Sequence, residues 1–569
     1  MLKGLISWFR KQVLSLLPQG AFDEREAVAP KRPVSNNKSY KIDPTFPNLI
    51  IDSPIPSKTA WPMSATGEKG GGYPLQTAPQ QAAALRQIVN ETLVYLLRRR
   101  AKKPARWAAA SILSLQARAG QDANAFYDRR SLRFFYFPDH GMRRNVFLCD
   151  SRHVVAHEFG HAYLDAMRPD FWSLQAPEAW AFHESFADIC CLVSVTINRD
   201  VVERAISDTG GNLAMSNPVT RIAMEVGASL RKVAPGYTEE NGSMRDMSMR
   251  FNYVAPETLP ADGPTSQLIN DPHSFGRVFS GAFYRLVVEA SNEIAKSGVS
   301  QVDSFLRARD AMMDRLLISV SNAPRTPRLL HAICQEMLVA DSSLGGTHQN
   351  TMRSVFTDYK LIQPVIKMLE SKTYDQMLSE LGEAAMIDTA GDIKILRKSG
   401  AGRGKVADTV TALSANPLYQ AEVELADESC YYFDGDGVMS LAIETTGQEA
   451  IDAAMSCLDQ IDAKNLASGD TKALFAVEDG KLVRLMIEAC GCNKPNYCIP
   501  GAPEYQKPWK PKNNAGCVKC GSGTNCLPKP CDCASPTPTP PPKTGCYTSL
   551  NAGQSKGVRI CNRASRRVC

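Results

Sequence analysis

The sequence predicts an α+β protein: a small sheet, then a mostly helical body, then a second and smaller α+β region. Three observations carry this. Short apolar segments at 111–116, 132–137 and 145–148 cluster ahead of residue 150, the first alternating at the period of two that marks a half-buried strand. From Arg152 the apolar period becomes helical and continues through 178–197, 276–294, 301–320 and 326–340. Past residue 365 short strand-like segments return at 430–433 and 440–444, and Asp479-Gly480 separates apolar segments at 474–477 and 482–487, a sequence that favours a tight hairpin turn.

Composition bounds what such a chain does. It has 569 residues, 44% hydrophobic and 22% charged, enough for about three to five domains and unlike a disordered, collagenous or coiled-coil chain. No apolar run approaches the roughly 18–20 residues that span a bilayer, which argues against an integral membrane protein. The net charge is +6, but 490–569 holds 12 Lys and Arg against only Glu504 and Asp532. The remainder is therefore net acidic. A basic, Pro- and Cys-rich tail is not the stripe of charge along a folded groove that nucleic acid selects, so no nucleic-acid partner is expected.

Taken in order, residues 1–22 read as an amphipathic helix, with Leu2, Leu5, Phe9, Val13 and Leu16 on one stripe. Arg10, Lys11 and Gln12 interrupt the apolar core that a secretory signal needs. This segment suits a membrane surface or a partner through residues 1–17, or a helix packed on its own domain. Residues 23–80, rich in Pro, Ser, Lys and Gly, read as a flexible linker, and a helix of good formers follows from Gln80 to Arg100. The main domain spans 81–365, the α+β accessory domain 366–489 and the tail 490–569. The accessory segment carries no catalytic constellation.

Chemistry concentrates at Val154-Val155-Ala156-His157-Glu158-Phe159-Gly160-His161, an HExxH motif inside a helical pattern that Asp150 or Ser151 would cap. Residues four apart share a helix face, so His157 and His161 can offer two imidazoles to one zinc ion while Glu158 stands beside it as a base. A catalytic zinc takes three protein ligands and keeps one position for water. The third candidate is Glu184, in His183-Glu184-Ser185-Phe186-Ala187-Asp188, where Asp188 follows by one turn and would accept a hydrogen bond from the far nitrogen of a ligating imidazole. Three other readings stand beside this one. His153 and His157, also four apart, form a rival pair but lack the Glu. The helix residues could be satisfied groups with no metal, although ExxxD would then be unexplained. His183 points to another helix face and suits packing.

With these motifs on one chain, residues 105–365 resemble the thermolysin-like gluzincin zinc metallopeptidases. The resemblance implies a two-lobed domain, with a small N-terminal sheet and active-site helix followed by a mainly helical C-terminal lobe. It implies one catalytic Zn2+ and a peptide or protein substrate. Asn124-Ala125-Phe126-Tyr127 resembles the edge segment on which Asn124 and Ala125 hold an extended peptide by strand addition. Ser243-Met244-Arg245-Asp246 resembles the segment whose arginine, here Arg245, grips a substrate carbonyl. His273 matches the histidine that donates to the tetrahedral oxyanion, with Asp271 as its orienting acid. Val154, one turn ahead of the ligands, is expected to line the pocket for the residue after the cut. The clustered calcium carboxylates of the family are not evident, and its assisting tyrosine has no match.

The tail holds eleven of the 17 cysteines and no histidine. Cys517-Val518-Lys519-Cys520 lacks a second pair at zinc-ribbon spacing, so disulfides in an oxidising or extracellular setting are the reading, with structural zinc as the alternative. An odd count leaves one cysteine free, bonded to another chain, or joined to Cys430 or Cys457. The basic charge suits an anionic surface. The sequence thus predicts a zinc-dependent endopeptidase with Glu158 as general base. The alternative from another class is a catalytically silent protein of the same fold that only holds peptides or partner proteins.

Overall fold

A computed structural model of the chain describes residues 78–362 apart from 105, 140–143 and 232–237, then 372–398 without 391, 423–461 and 474–488, with the short strands 63–66, 409–410, 547–548 and 559–560. The expected amphipathic helix at 1–22, most of the expected linker and nearly all of the Cys-rich tail lie outside the described residues.

The protein is mixed α+β. Its first sheet contains β1 (Met63–Thr66), β2 (Leu113–Gln116), β3 (Ala125–Tyr127) and β4 (Ser131–Phe134) in the order β1-β2-β4-β3. β1 and β4 run parallel to β2, and β3 is antiparallel to β4 with Ala125 opposite Phe134. β1 falls within the stretch expected to be linker and is instead a strand, in four-residue register with β2. The apolar stretch 132–137 divides into β4 and a second strand, Tyr136–Asp139, which pairs with Arg144–Phe147.

Helix α1 (Ala78–Leu97) lies between β1 and β2, and the sheet leads into α2 (Arg152–Met167), α3 (Pro177–Thr196), α4 (Pro272–Ala295), α5 (Gln301–Asn322) and α6 (Leu329–Ser343). These match the helical periods of the sequence to within a few residues. Every residue of α3 is buried, as in a helix packed on all sides. One continuous core joins Leu85 and Val89 of α1, Leu113 and Leu132 of the sheet, and Phe159, Phe186, Phe279 and Leu316 of the helices. Among the described residues no single helix is long and apolar enough to cross a membrane.

The later region contains a four-stranded antiparallel sheet in the order 439–443, 429–433, 393–398, 385–390, and a helix, Gly447–Gln460, closed by a capping box between Thr446 and Glu449. A hairpin follows, β5 (Phe475–Glu478) and β6 (Lys481–Arg484). Asp479 and Gly480 both take positive φ, 49° and 82°, as the tight turn predicted from Asp-Gly requires. The strand expected over 482–487 does not run through. It stops at Arg484, and β7 (Ile487–Glu488) leaves the hairpin to pair antiparallel with β3, Ile487 opposite Tyr127 and Glu488 opposite Phe126. β3 is therefore not the edge of its sheet, as expected, but has β7 outside it.

The second sheet docks on α6, where Ala332 and Val339 pack with Ile395, Cys430, Tyr432 and Ile443. The Tyr432 hydroxyl donates to Glu336. Burial pushes the Glu336 carboxyl up to about 8 against the opposing pull of Arg397 and Arg168. A carboxyl raised on folding contributes stability that is present below its unfolded pKa and is lost as pH rises through the folded value. The wild type should therefore lose melting temperature relative to Glu336→Gln between about pH 5 and pH 8, by several degrees. Thermal melts followed by circular dichroism across that range check this, and parallel curves for the two proteins would disprove it.

Candidate metal centre

α2 begins at Ser151, whose hydroxyl accepts from the Val154 amide at 3.4 Å. Asp150, the other expected cap, instead accepts from the Gln81 side chain of α1 at 2.9 and 3.0 Å. The helix sets His157, Glu158 and His161 in the buried interior, each at most 2% exposed.

Glycines determine how near the other helices come. A Cβ on Gly160 would stand 2.7 Å from the Ala187 Cα and 3.2 Å from the Cys190 Cβ, so α2 rests directly on α3. A Cβ on Gly276 would stand 2.8 Å from the Ala181 carbonyl oxygen and 3.0 Å from the Glu184 Cβ, so α4 rests on α3 beside Glu184. The Ser185 hydroxyl, 2.7 Å from the Gly276 carbonyl oxygen, bonds that second contact.

His157, His161 and Glu184 converge. Their facing atoms lie at 3.2 Å (His157 Nε2 to His161 Nε2), 3.3 Å (His157 Nε2 to Glu184 Oε2) and 3.7 Å (His161 Nε2 to Glu184 Oε1). Ligand bonds of about 2.0–2.1 Å in a tetrahedron place donor atoms roughly 3.3–3.4 Å apart, so the two nitrogens and the carboxylate have the separations of a metal site. Glu184 Oε2 makes no hydrogen bond although it is buried. Burial and the neighbouring His157, His183 and His273 hold His161 far below the usual imidazole range, which keeps it in the neutral form that ligates. The residues present fit a divalent ion.

A second group, His157 with Asp188 and Cys191, also has ligand atoms within reach of one another. It uses the far side of the imidazole, where Asp188 already carries an arginine. His153 belongs to neither group. Asp188 Oδ1 is 3.1 Å from His157 Nδ1, as expected of an acid that fixes the ring and directs Nε2 inward. Arg245 grips the same carboxylate, Nη2 at 2.7 Å and Nε at 3.0 Å. Burial alone would raise the Asp188 carboxyl, but Arg245 and His157 bring it down to about 2. Sequence reasoning gave Arg245 a substrate role and missed this tie, since nothing in the spacing links residues 57 apart.

His273 stands at the start of α4, Nε2 3.4 Å from Glu184 Oε2 and Nδ1 3.4 Å from Asp271 Oδ1. Asp271 also caps the helix, accepting from the His273 amide at 3.0 Å and the Ser274 amide at 3.3 Å. Burial would lower the His273 imidazole, yet Glu184 and Asp271 outweigh it and raise it to about 10. Val154, Asn124 and Ala125 are buried, and Ala125 lies on β3 next to β7. His183 is fully buried, its ring centroid 5.9 Å from His161 and 5.8 Å from Trp172, a packing position as expected.

Two further residues belong to the neighbourhood. Asp165, one turn beyond His161, accepts from the Tyr127 hydroxyl at 2.9 Å and from Arg129 Nε and Nη2 at 3.0 and 2.9 Å, which ties α2 to β3. Its position four residues after His161 was a legible signal. Arg484 at the end of β6 is buried, feels the charge of Glu184, and is pushed down to about 10, chiefly by burial. Cys430 and Cys457, candidates for bonding to the tail, are buried, and the tail cysteines lie outside the described residues. No family model matches the chain, and no curated protein matches it.

Gly160→Ala tests the helix contact. Because the atom met is backbone, α2 must move, at a cost of about 1–3 kcal/mol. A lower melting temperature and substoichiometric divalent metal after loading are expected, the latter measured by plasma mass spectrometry. Full loading in the destabilised variant would show that the close approach does not set the ligand geometry.

Proposed function

We propose that this chain is a zinc-dependent endopeptidase whose residues 81–365 form a two-lobed, thermolysin-like domain. The observation that carries the reading is the convergence of His157, His161 and Glu184 with Glu158 on the adjoining helix position, all buried. The α+β order of small sheet, active-site helix and helical body supports it, as does His273 within 3.4 Å of Glu184.

His157, His161 and Glu184 would hold the zinc, which would supply a bound water of pKa about 7 and a Lewis acid for the scissile carbonyl. Glu158 takes the proton of the attacking water and delivers it to the leaving amine. Asp188 holds His157 by its Nδ1, with Arg245 keeping Asp188 ionised and in place. His273, positioned by Asp271, donates to the developing oxyanion, a contribution of about 3–4 kcal/mol for a well-aimed donor. Arg245 reaches Asp188 through Nε and Nη2, so Nη1 is the group it offers a substrate carbonyl. Asn124 and Ala125 hold an extended peptide by its backbone, and Val154 lines the pocket after the cut.

Glu158→Gln should retain zinc and lose cleavage of heat-denatured casein by about 10²–10⁴-fold, the usual worth of a positioned base. Equal initial rates for the two proteins would remove Glu158 from the reaction. Asp188→Asn should weaken zinc binding by about 10–100-fold, read by competition with a chromogenic chelator, and an unchanged affinity would show that Asp188 does not serve the ligand. The rival reading, a protein that binds peptides without turnover, gains from the strand already lying on β3. Stoichiometric zinc with no casein cleavage by any form of the chain would select it.

A further inference from the structure

The stretch from Leu474 to Glu488 returns from the later region and lies across elements that build the metal centre. At one end, β5 and β6 pack on Trp180, four residues before Glu184 on α3, in a small cluster with Phe475, Leu482, Val423 and Leu458. In the middle, the Trp172 indole N–H donates to the Arg484 carbonyl at 2.9 Å. The Arg484 guanidinium carbon sits 4.4 Å from the Trp180 ring centre and 5.5 Å from that of Phe475, and the charge of Arg484 acts on both His161 and Glu184. At the far end β7 lies on the outer side of β3 at Phe126 and Tyr127, the two residues that follow Asn124 and Ala125, with Ile487 buried in the main core. Without β7, β3 would be the sheet edge, and a strand edge is a template for any extended chain.

We propose that residues 474–488 are a built-in competitor for the peptide-binding edge of β3, so that the chain is latent towards extended peptides until β7 leaves that edge. The inference rests on reading that edge as the substrate strand. Anchorage of the strap is uneven in a way that suits release. Among the described residues β7 pairs over two positions, whereas β5 and β6 pair over four. A short terminal ladder opens at a fraction of the global unfolding free energy, so β7 can leave while the hairpin stays seated on Trp180. Displacement exchanges one backbone ladder for another and needs no rearrangement of the three helices that carry His157, Glu184 and His273.

The test uses the full chain as wild type, Ile487→Pro and Arg484→Ala. Proline at 487 fixes φ and takes the Ile487 side chain out of the core at the position opposite Tyr127, and Arg484→Ala weakens the strap while leaving Ile487 in the core. Three readouts are taken: affinity for a fluorescein-labelled synthetic peptide of residues 474–488, hydrogen exchange at Ala125–Tyr127, and initial rate on heat-denatured casein with zinc loaded. Faster exchange on β3, at least tenfold tighter peptide binding and at least tenfold faster cleavage are expected for Ile487→Pro, with Arg484→Ala between it and the wild type. Equal peptide affinity in all three proteins, or measurable cleavage by the wild type at the rate of a variant whose β3 exchange has risen, overturns the inference. Tighter peptide binding by the variants with no cleavage by any protein upholds the competitor and defeats the peptidase reading. Should Ile487→Pro show no cooperative melt, Arg484→Ala carries the same comparison: unchanged exchange, affinity and rate in it overturn the proposal.

Discussion

Helices that meet through ordinary side chains stand about 8–10 Å apart, axis to axis. A side chain at the crossing point itself would push the helices outward and carry an imidazole on one away from a carboxylate on the next. Gly160 removes the obstacle between α2 and α3, and Gly276 removes it between α4 and α3. α3 is therefore approached closely from two sides, and Glu184, near the crossing with α4, is brought to 3.3 Å of His157 and 3.4 Å of His273. Both glycines act through the space they leave rather than through backbone freedom, since neither has a positive φ.

Burial makes this arrangement expensive unless each charge is answered. Asp188 is answered by Arg245, which is carried on a two-residue strand, Arg245–Asp246, paired to Arg221–Ile222. A further close approach, at Gly227 against the Gly242 carbonyl, keeps that segment against its neighbouring helix. Asp165 is answered by Arg129 and Tyr127. The second tie has a geometric consequence: the helix that carries the two imidazoles and the strand that would carry a peptide are joined through one carboxylate. A displacement of β3 and the turn after it relative to α2 would break three hydrogen bonds to buried Asp165, so β3 and the candidate metal ligands keep a constant separation.

Much of this was legible in the sequence because it is local. The four-residue spacings His157–His161 and Glu184–Asp188 place side chains on one helix face whatever the tertiary context, and Asp479-Gly480 specifies its turn through positive φ alone. Asp271 was expected to orient His273 and does lie against it, while also capping the helix. Long-range features were not legible. That Arg245 would bind Asp188, that Asp150 would serve Gln81 and not the α2 cap, and that the apolar stretch 482–487 would break at Arg484 all depend on partners remote in the chain. In the last case the segment is apolar on both sides of Arg484, so periodicity alone does not distinguish one strand from two strands serving different sheets.

The later region holds to the body with unequal strength, and the inequality decides what can move. Its sheet is bound to the helical body by Tyr432 on Glu336 and by a reciprocal pair, in which the Glu428 amide donates to the Arg325 carbonyl at 2.8 Å and the Arg325 amide donates to the Glu428 carboxylate at 2.9 Å. Thr445 adds a bond to Thr326 at 2.8 Å. These contacts are partly or wholly buried and made between residues about 100 positions apart, so they open only with a large part of the fold. Among the described residues β7 has a two-residue ladder and the burial of Ile487 to hold it. A force or a competing chain acting on β3 therefore meets its weakest resistance at β7, and the sheet on α6 can remain docked as a fixed anchor while the strand beside the metal centre exchanges.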